Sequence, residues 1–191
     1  SIVGEYEITA GTILENDEDT SNVSVTITIS SQETSNCPDN YSLPIAWRDN
    51  FECYDPFIIS DIGDWIMYDL DGGTTWGANA VDFENESYVG TGIIYNQALA
   101  TPTGGPIPEW DTFQGEQGLY FIASGANGTT FPNDDWMISP EFSLSGITSP
   151  IFSMKAKSVN DTYGLERFQI AVGTSTDYND FTVVSDGAYI E

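Results

Sequence analysis

The chain has no histidine and only four lysine and arginine residues among its 191 residues. Without an imidazole there is no Ser/His/Asp triad, and no GxSxG nucleophile motif occurs, which argues against hydrolases of that kind. Thirty Asp and Glu residues bring the formal net charge to −26, so the chain repels nucleic-acid phosphates and anionic lipid surfaces. We therefore expect cations, neutral glycans or protein surfaces as partners, and no nucleic acid.

Long hydrophobic runs are also missing. No apolar stretch reaches 18 residues, so we expect no membrane insertion by this segment. These 191 residues contain no signal-peptide pattern and start at Ser1 rather than Met, so we expect a processed protein or a fragment. Helical periodicity is absent over three turns, and the stretch "IIYNQALA", residues 93–100, predicts at most one helical turn.

Cysteine is scarce as well. Cys37 and Cys53 are the two cysteines of the chain, too few for a zinc site in a protein without histidine. A disulfide that closes the loop between them would contribute roughly 3 kcal/mol to stability. We predict this disulfide, with two unpaired thiols as the alternative.

The patterns that are present predict β-strands. Apolar residues make up 40% of the chain and aromatic residues 13%, a globular composition. The stretch "NVSVTITIS", residues 22–30, alternates apolar and polar side chains, as a half-buried strand does. Further short β-branched or aromatic segments lie between Gly, Pro, Asn and Asp, among them "DWIMYDL", "GLYFIAS", "DWMISPEFSL", "PIFSMKAKSV" and "FTVVSDG". We predict an all-β sandwich whose core includes Trp65, Trp136, Phe142, Phe152 and Phe168.

The periodicity stops between residues 30 and 47, where Pro, Asn and Ser accumulate. We predict that residues 1–34 are the end of a preceding Ig-like domain or accessory strands, because two or three strands bury no core alone. Residues 35–49 are then a linker, and residues 50–191 form the main domain.

Successive blocks of this main domain resemble a known family. They are "FE" at Phe51 and Glu52, "DWIMYDLDGGTTW", "NDDWMISPEFSLSG", "PIFSMKAKS" and "ERFQIAVGTSTDYNDFTVV". They resemble the cleaved-adhesin, or choice-of-anchor J, modules of bacterial surface and secreted proteins. The resemblance implies a MAM-like jelly roll, truncated before the final strands of the family pattern.

Acidic residues are the candidate metal ligands. Ca²⁺ takes six to eight oxygen ligands from carboxylates, carbonyls and water. The family resemblance implies Glu52 and Asp135 as calcium ligands, whereas the residues themselves point to Asp69 and Asp71 in "DLDGG", where glycines let the backbone fold around an ion. An EF-hand pattern is absent. For Asp69 and Asp71 the alternative is ordinary turn formation.

Three aromatic residues are candidates for ligand binding. Trp76, Tyr88 and Trp110 lie in segments rich in Gly, Pro and Asn. Exposed loop aromatics stack on sugars or anchor protein interfaces. The alternative is that these rings attach their loops to the core.

Together these features predict a non-catalytic, calcium-stabilised module of a bacterial cell-surface protein, outer membrane-associated or secreted, that acts in adhesion or binds a carbohydrate or protein ligand. The alternative is a structural surface subunit of a larger outer-membrane or secretion assembly, because an incomplete sandwich leaves a sheet edge open. A jelly-roll glycoside hydrolase is a third hypothesis. It fits poorly, since Glu116 of "EWDTFQGE" would not share a strand face with Glu109 and Asp111.

Overall fold

The computed structural model describes residues 4–11, 24–31, 46–105, 107–126, 129–130, 132–159, 166–187 and 189–190; residues 4–11, 24–31, 126 and 129–130 are described by their backbone alone. These ranges contain thirteen β-strands and two three-residue 3-10 helices, Pro108–Trp110 and Tyr178–Asp180. The predicted all-β class is confirmed. No described helix has the length and apolarity needed to cross a bilayer.

The chain forms two compact units, Ser1–Asn36 and Cys37–Glu191. The first contains an antiparallel pair, β1 (Gly4–Gly11) and β2 (Ser24–Ser31). Its register sets Ile8 opposite Ile27 and Tyr6 opposite Ile29, so apolar positions meet across the pair, as the alternation of the sequence requires. The prediction that this unit is Ig-like or accessory stays a prediction.

The second unit consists of short antiparallel pairs and one three-stranded sheet. Its strands are β3 (Ile66–Asp69), β4 (Thr74–Thr75), β5 (Val81–Asp82), β6 (Ile93–Asn96), β7 (Thr101–Pro102), β8 (Gln117–Tyr120), β9 (Ser124–Ala126), β10 (Thr129–Thr130), β11 (Asp135–Ile138), β12 (Ala171–Val172) and β13 (Thr182–Val183). The three-stranded sheet has the order β10-β9-β4, and the pairs are β3 with β11, β5 with β7, β6 with β8 and β12 with β13. Hydrogen bonding between strands distant in sequence therefore brings the segments of this unit together.

The core of this unit is built on β6. All four β6 residues are buried, and Tyr95 is 1% exposed with its ring centroid 4.6 Å from that of Tyr120 on β8. Phe57 packs edge-on against the same ring at 6.0 Å. The expected helical turn over residues 93–100 is therefore wrong for Ile93–Asn96. A strand buried on both faces has no polar alternation that would distinguish it from a buried helix.

A second aromatic group surrounds Trp65. Its indole Nε1–H donates to Asp49 Oδ2 (2.8 Å), which also accepts the Tyr54 hydroxyl (2.6 Å). Phe142, predicted as core, is 40% exposed although it stacks on Trp47 at 5.7 Å. Phe152, also predicted as core, is 62% exposed. The core prediction is wrong for these two rings, because alternation identifies a strand face without identifying what covers it.

Candidate metal site

Two short strands with mirrored sequences create a cluster of carboxylates. β3 reads "IMYD" and β11 reads "DWMI", and they pair antiparallel with Asp69 opposite Asp135 and Ile66 opposite Ile138. Apolar residues therefore face apolar residues along the pair. At the end of β3 and the start of β11, two acidic residues lie directly opposite each other. Like charges in such opposed positions destabilise a sheet. This end of the pair needs a compensating group.

Asp71 completes the cluster from the turn after β3. One oxygen, Oδ1, accepts the Gly73 N–H (2.7 Å) and the hydroxyl of Ser124 on β9 (3.1 Å). The other, Oδ2, accepts the Asp134 N–H (2.8 Å). Hydrogen bonds to three segments thus fix the position of this carboxylate.

Each of Asp69, Asp71 and Asp135 offers one carboxylate oxygen, and these atoms lie within 4.8 Å of one another. Asp69 uses Oδ1 to accept the Gly72 N–H (2.7 Å). Asp135 Oδ1 is buried and makes no hydrogen bond. A buried oxygen without a partner is costly, and a cation placed among the three carboxylates would supply that partner.

Tyr88 has a second buried polar group without a hydrogen-bond partner. Its side chain is 5% exposed and its hydroxyl makes no hydrogen bond of good geometry. Burial raises the pKa of Tyr88, the charges of Asp135 and Asp69 raise it further, and the nearby Ile122 backbone lowers it in part. Thr75 fixes the Tyr88 backbone, donating its N–H (2.8 Å) and hydroxyl (2.9 Å) to Tyr88 O.

Burial and the neighbouring charges of the cluster shift the pKa of Asp135. Burial raises the pKa of Asp135 to about 7, and the charges of Asp71, Asp69 and Asp134 add to the effect, while the Asn133 side chain opposes it. The metal-free fold therefore holds a proton on this carboxyl more tightly than the unfolded chain does. The stability that this proton contributes is fully present below about pH 4 and is lost as pH rises through about 7.

A pH titration in chelator tests this linkage. We expect the melting temperature of the wild type minus that of Asp135→Asn to fall as pH rises from 4 to 8, because the amide stays neutral while the carboxyl ionises. Differential scanning fluorimetry of both proteins measures the difference and cancels the titration of the other acidic residues. A difference that stays constant over this range would contradict the shifted pKa.

Glu52 lies in another part of the unit. Its carboxylate accepts the backbone N–H groups of Glu116 (3.1 and 3.3 Å) and Gln117 (3.3 Å). Gln117 Nε2 in turn donates to Phe51 O (2.6 Å) and Tyr54 O (2.9 Å). These hydrogen bonds, which run in both directions, hold residues 51–54 against β8. Within the described part of the chain, the structure brings Asp135 together with Asp69 and Asp71 and leaves Glu52 out of the cluster, so its role as a ligand stays a prediction.

The three predicted ligand-binding aromatics lie in different environments. Trp76 directly follows β4 and is 40% exposed. Tyr88 is buried, so its ring is not accessible for stacking on a ligand. Trp110 is half-buried and packs on the core, with its ring parallel to that of Tyr120 at 6.2 Å. It also lines a pocket of about 220 Å³ with Tyr95 and Asp111.

The other predicted residues are the two cysteines of the disulfide and the acidic residues of the glycosidase hypothesis. Cys53 is disulfide-bonded, while Cys37 lies outside the described residues. Glu109 belongs to the 3-10 helix Pro108–Trp110, and Asp111 follows it. These two carboxylates therefore do not lie on a β-strand, as a jelly-roll glycosidase signature would require.

Two supporting residues had no signal of their own in the sequence. Ser124 is 3% exposed, and Asn133 Oδ1 accepts its N–H (2.9 Å) and lies 3.0 Å from its Oγ. They align β9 with the start of β11. The sequence did contain one signal for the pairing of Asp69 with Asp135, because "IMYD" and "DWMI" read in opposite directions give the same apolar-to-acidic order.

Comparison of the chain with protein-family models, with characterised proteins and with solved structures finds no match.

Proposed function

We propose that this chain is a calcium-stabilised, non-catalytic binding module of the extracellular, bacterial cell-surface type. The observation that carries the proposal is the meeting of three carboxylates, one of which has a buried oxygen, Asp135 Oδ1, without a hydrogen-bond partner. A jelly-roll arrangement of the second unit belongs to the same proposal, and the resemblance of its sequence blocks to cleaved-adhesin modules supports it.

The chemistry of the donors favours calcium. All the donors are oxygens, and no histidine or cysteine contributes, which disfavours zinc and copper. Asp69, Asp71 and Asp135 are half-buried, which leaves room for water among the ligands. Ca²⁺ accepts such mixed and irregular oxygen shells, whereas Mg²⁺ demands near-ideal octahedral geometry.

The ion acts structurally in this proposal. Its ligands come from the end of β3, from the following turn and from the start of β11, so a bound ion would neutralise the repulsion between them. The same region leads into β4 and the exposed ring of Trp76, whose backbone N–H donates to Ala123 O (2.9 Å). A glycan or protein ligand would thus meet an aromatic ring on a backbone that the ion stabilises.

Thermal denaturation tests the proposal. Calcium sites of extracellular modules have Kd values of about 10⁻⁴–10⁻³ M, so 10 mM Ca²⁺ is expected to add up to about 2.7 kcal/mol of stability. For a chain of this length that corresponds to a rise in melting temperature of roughly 5–10 °C over chelator. Scanning fluorimetry in CaCl₂ and in EDTA measures it.

The variant Asp69→Asn distinguishes the effect of calcium binding from the stability of the metal-free fold. The amide oxygen of the substituted side chain can still accept the Gly72 N–H, but the charge opposite Asp135 is gone. We expect the chelated variant to melt at or above the wild-type temperature and to lose most of the calcium response. Asp82→Asn is the matched control, because Asp82 is exposed on β5 and the substitution changes the net charge equally. An equal calcium response in the wild type and Asp69→Asn would overturn the proposed site.

A further inference from the structure

The segment Ser149–Lys157, here called the edge segment, has no strand partner among the described residues. It makes no backbone–backbone hydrogen bond with any of them, and every residue in it is exposed. Its apolar side chains are unusually accessible, with Ile151 90%, Phe152 62% and Met154 49% exposed. Unpaired N–H and C=O groups beside exposed apolar side chains form a template for strand addition.

The two sides of the edge segment differ. Lys155 Nζ lies 5.2 Å from the centroid of the Phe113 ring, and Lys157 Nζ donates to Glu109 O (2.8 Å). Both lysines therefore reach the same loop of their own domain. Alternate residues of an extended chain share a face, so Phe152 and Met154 belong to the opposite face, away from that loop.

Charge indicates what kind of strand fits. The chain has only four Lys and Arg residues against 30 Asp and Glu, and two of those four lie on the edge segment. Opposite charges facing each other across a strand pair stabilise it, and like charges destabilise it. A second copy of a chain with a net charge of −26 is strongly repelled as it approaches, whereas a short strand carries few charges and would set its acidic side chains on the face of Lys155 and Lys157.

We propose that the edge segment is a docking edge for an extended segment of a partner protein in which apolar residues alternate with acidic ones. The partner strand would pair with the free backbone groups of residues 151–157. Its acidic side chains would face Lys155 and Lys157, and its apolar side chains would cover Phe152 and Met154. This interaction goes beyond the proposed calcium site and shares no residue with it.

Two synthetic peptides serve as probes. Both are fluorescein-labelled nine-residue peptides that alternate valine with a charged residue, glutamate in one and lysine in the other. Fluorescence anisotropy at low ionic strength, in CaCl₂ and again in EDTA, measures their affinities. We expect the glutamate peptide to bind at least about tenfold more tightly than the lysine peptide, since the two differ only in charge complementarity.

Variants test the two parts of the mechanism. The double variant K155E/K157E is expected to reverse the preference, so that the lysine peptide binds better. R48E/R167E is the matched control, because it changes the net charge equally at the two other cations of the chain. Ser153→Pro removes an N–H from the middle of the edge segment and is expected to abolish binding. Ser153→Ala, which keeps the N–H, is expected to bind like the wild type, and melting temperatures show that each variant folds.

Equal binding of the two peptides, or a preference that survives K155E/K157E, would overturn the charge assignment. Binding that survives Ser153→Pro would overturn strand pairing. Analytical ultracentrifugation of the chain alone tests a second copy as the occupant: a dimer that Ser153→Pro dissolves would make a second copy the partner and overturn the proposal of a foreign strand. Since all binding is measured with and without calcium, failure of the metal site alone leaves the peptide result unchanged.

Discussion

Replacing Tyr95 with alanine is expected to lower the free energy of unfolding by about 3–5 kcal/mol, the range for removing a large aromatic side chain from a core. Tyr95 is 1% exposed and lies at the centre of an aromatic group, with the Phe83 and Trp110 ring centroids each 5.4 Å away. Its removal takes away edge-to-face contacts together with buried area. Chemical denaturation with a linear extrapolation to water measures the loss.

The control uses the same substitution at an exposed tyrosine. Tyr189 is 52% exposed, and its ring lies 5.9 Å from the Arg167 guanidinium, so Tyr189→Ala is expected to cost less than about 1 kcal/mol. Similar losses for the two variants would mean that the aromatic group around β6 is not the core of this unit.

Gly73→Ala is expected to remove the calcium response. A Cβ at this position would lie 2.5 Å from Ser124 Oγ and 2.6 Å from Asp71 Oδ1. Neither atom moves at low cost, because the Asp71 carboxylate is fixed by its three donors and Ser124 is 3% exposed. Displacing Asp71 takes a ligand out of the cluster, so we expect the difference in melting temperature between CaCl₂ and EDTA to fall to near zero.

Two other glycines distinguish this mechanism from a general effect of alanine. A Cβ at Gly104 meets nothing within 4 Å, so Gly104→Ala is expected to leave both stability and calcium response essentially unchanged. Gly72 has the same open space but a φ of 63°, so Gly72→Ala is expected to cost about 1 kcal/mol through backbone strain and to retain the calcium response. A full calcium response in Gly73→Ala would contradict the placement of Asp71 in the site.

The class of the fold was predictable because strands carry local patterns. Alternation in residues 22–30 predicted β2, and "DWIMYDL" predicted β3. Pairing was harder to predict, because it depends on residues far apart in the chain. β6 is a paired strand that the sequence pattern does not reveal, since its four buried residues show no period. The segment around Phe152 is the opposite case, because it alternates like a strand but has no strand partner among the described residues.

Three of the four predicted metal ligands come together, but not in the predicted grouping. Asp135 was grouped with Glu52 through a family resemblance, while Asp69 and Asp71 were considered apart from it. The register of β3 against β11 joins Asp135 to the other two. Glu52 accepts hydrogen bonds from backbone N–H groups instead. No local sequence pattern predicts this role, because the donors lie more than sixty residues away in sequence. Tyr88 was a candidate for ligand binding, with attachment of its loop to the core as the alternative, and its ring is buried in the core.

The mirrored sequences of β3 and β11 also affect which register between the two strands is favoured. A slip of two residues between β3 and β11 would keep every side chain on its own face, so the alternation of the two strands does not distinguish such a misalignment from the native one. The acidic ends do distinguish them, because the observed register sets Asp69 directly opposite Asp135. Without a cation, repulsion penalises the native alignment relative to a slipped one, and in the proposed calcium-bound state the ion favours it. The concentration of the ion would then determine which of two pairings the chain adopts during folding, in addition to how stable the folded product is.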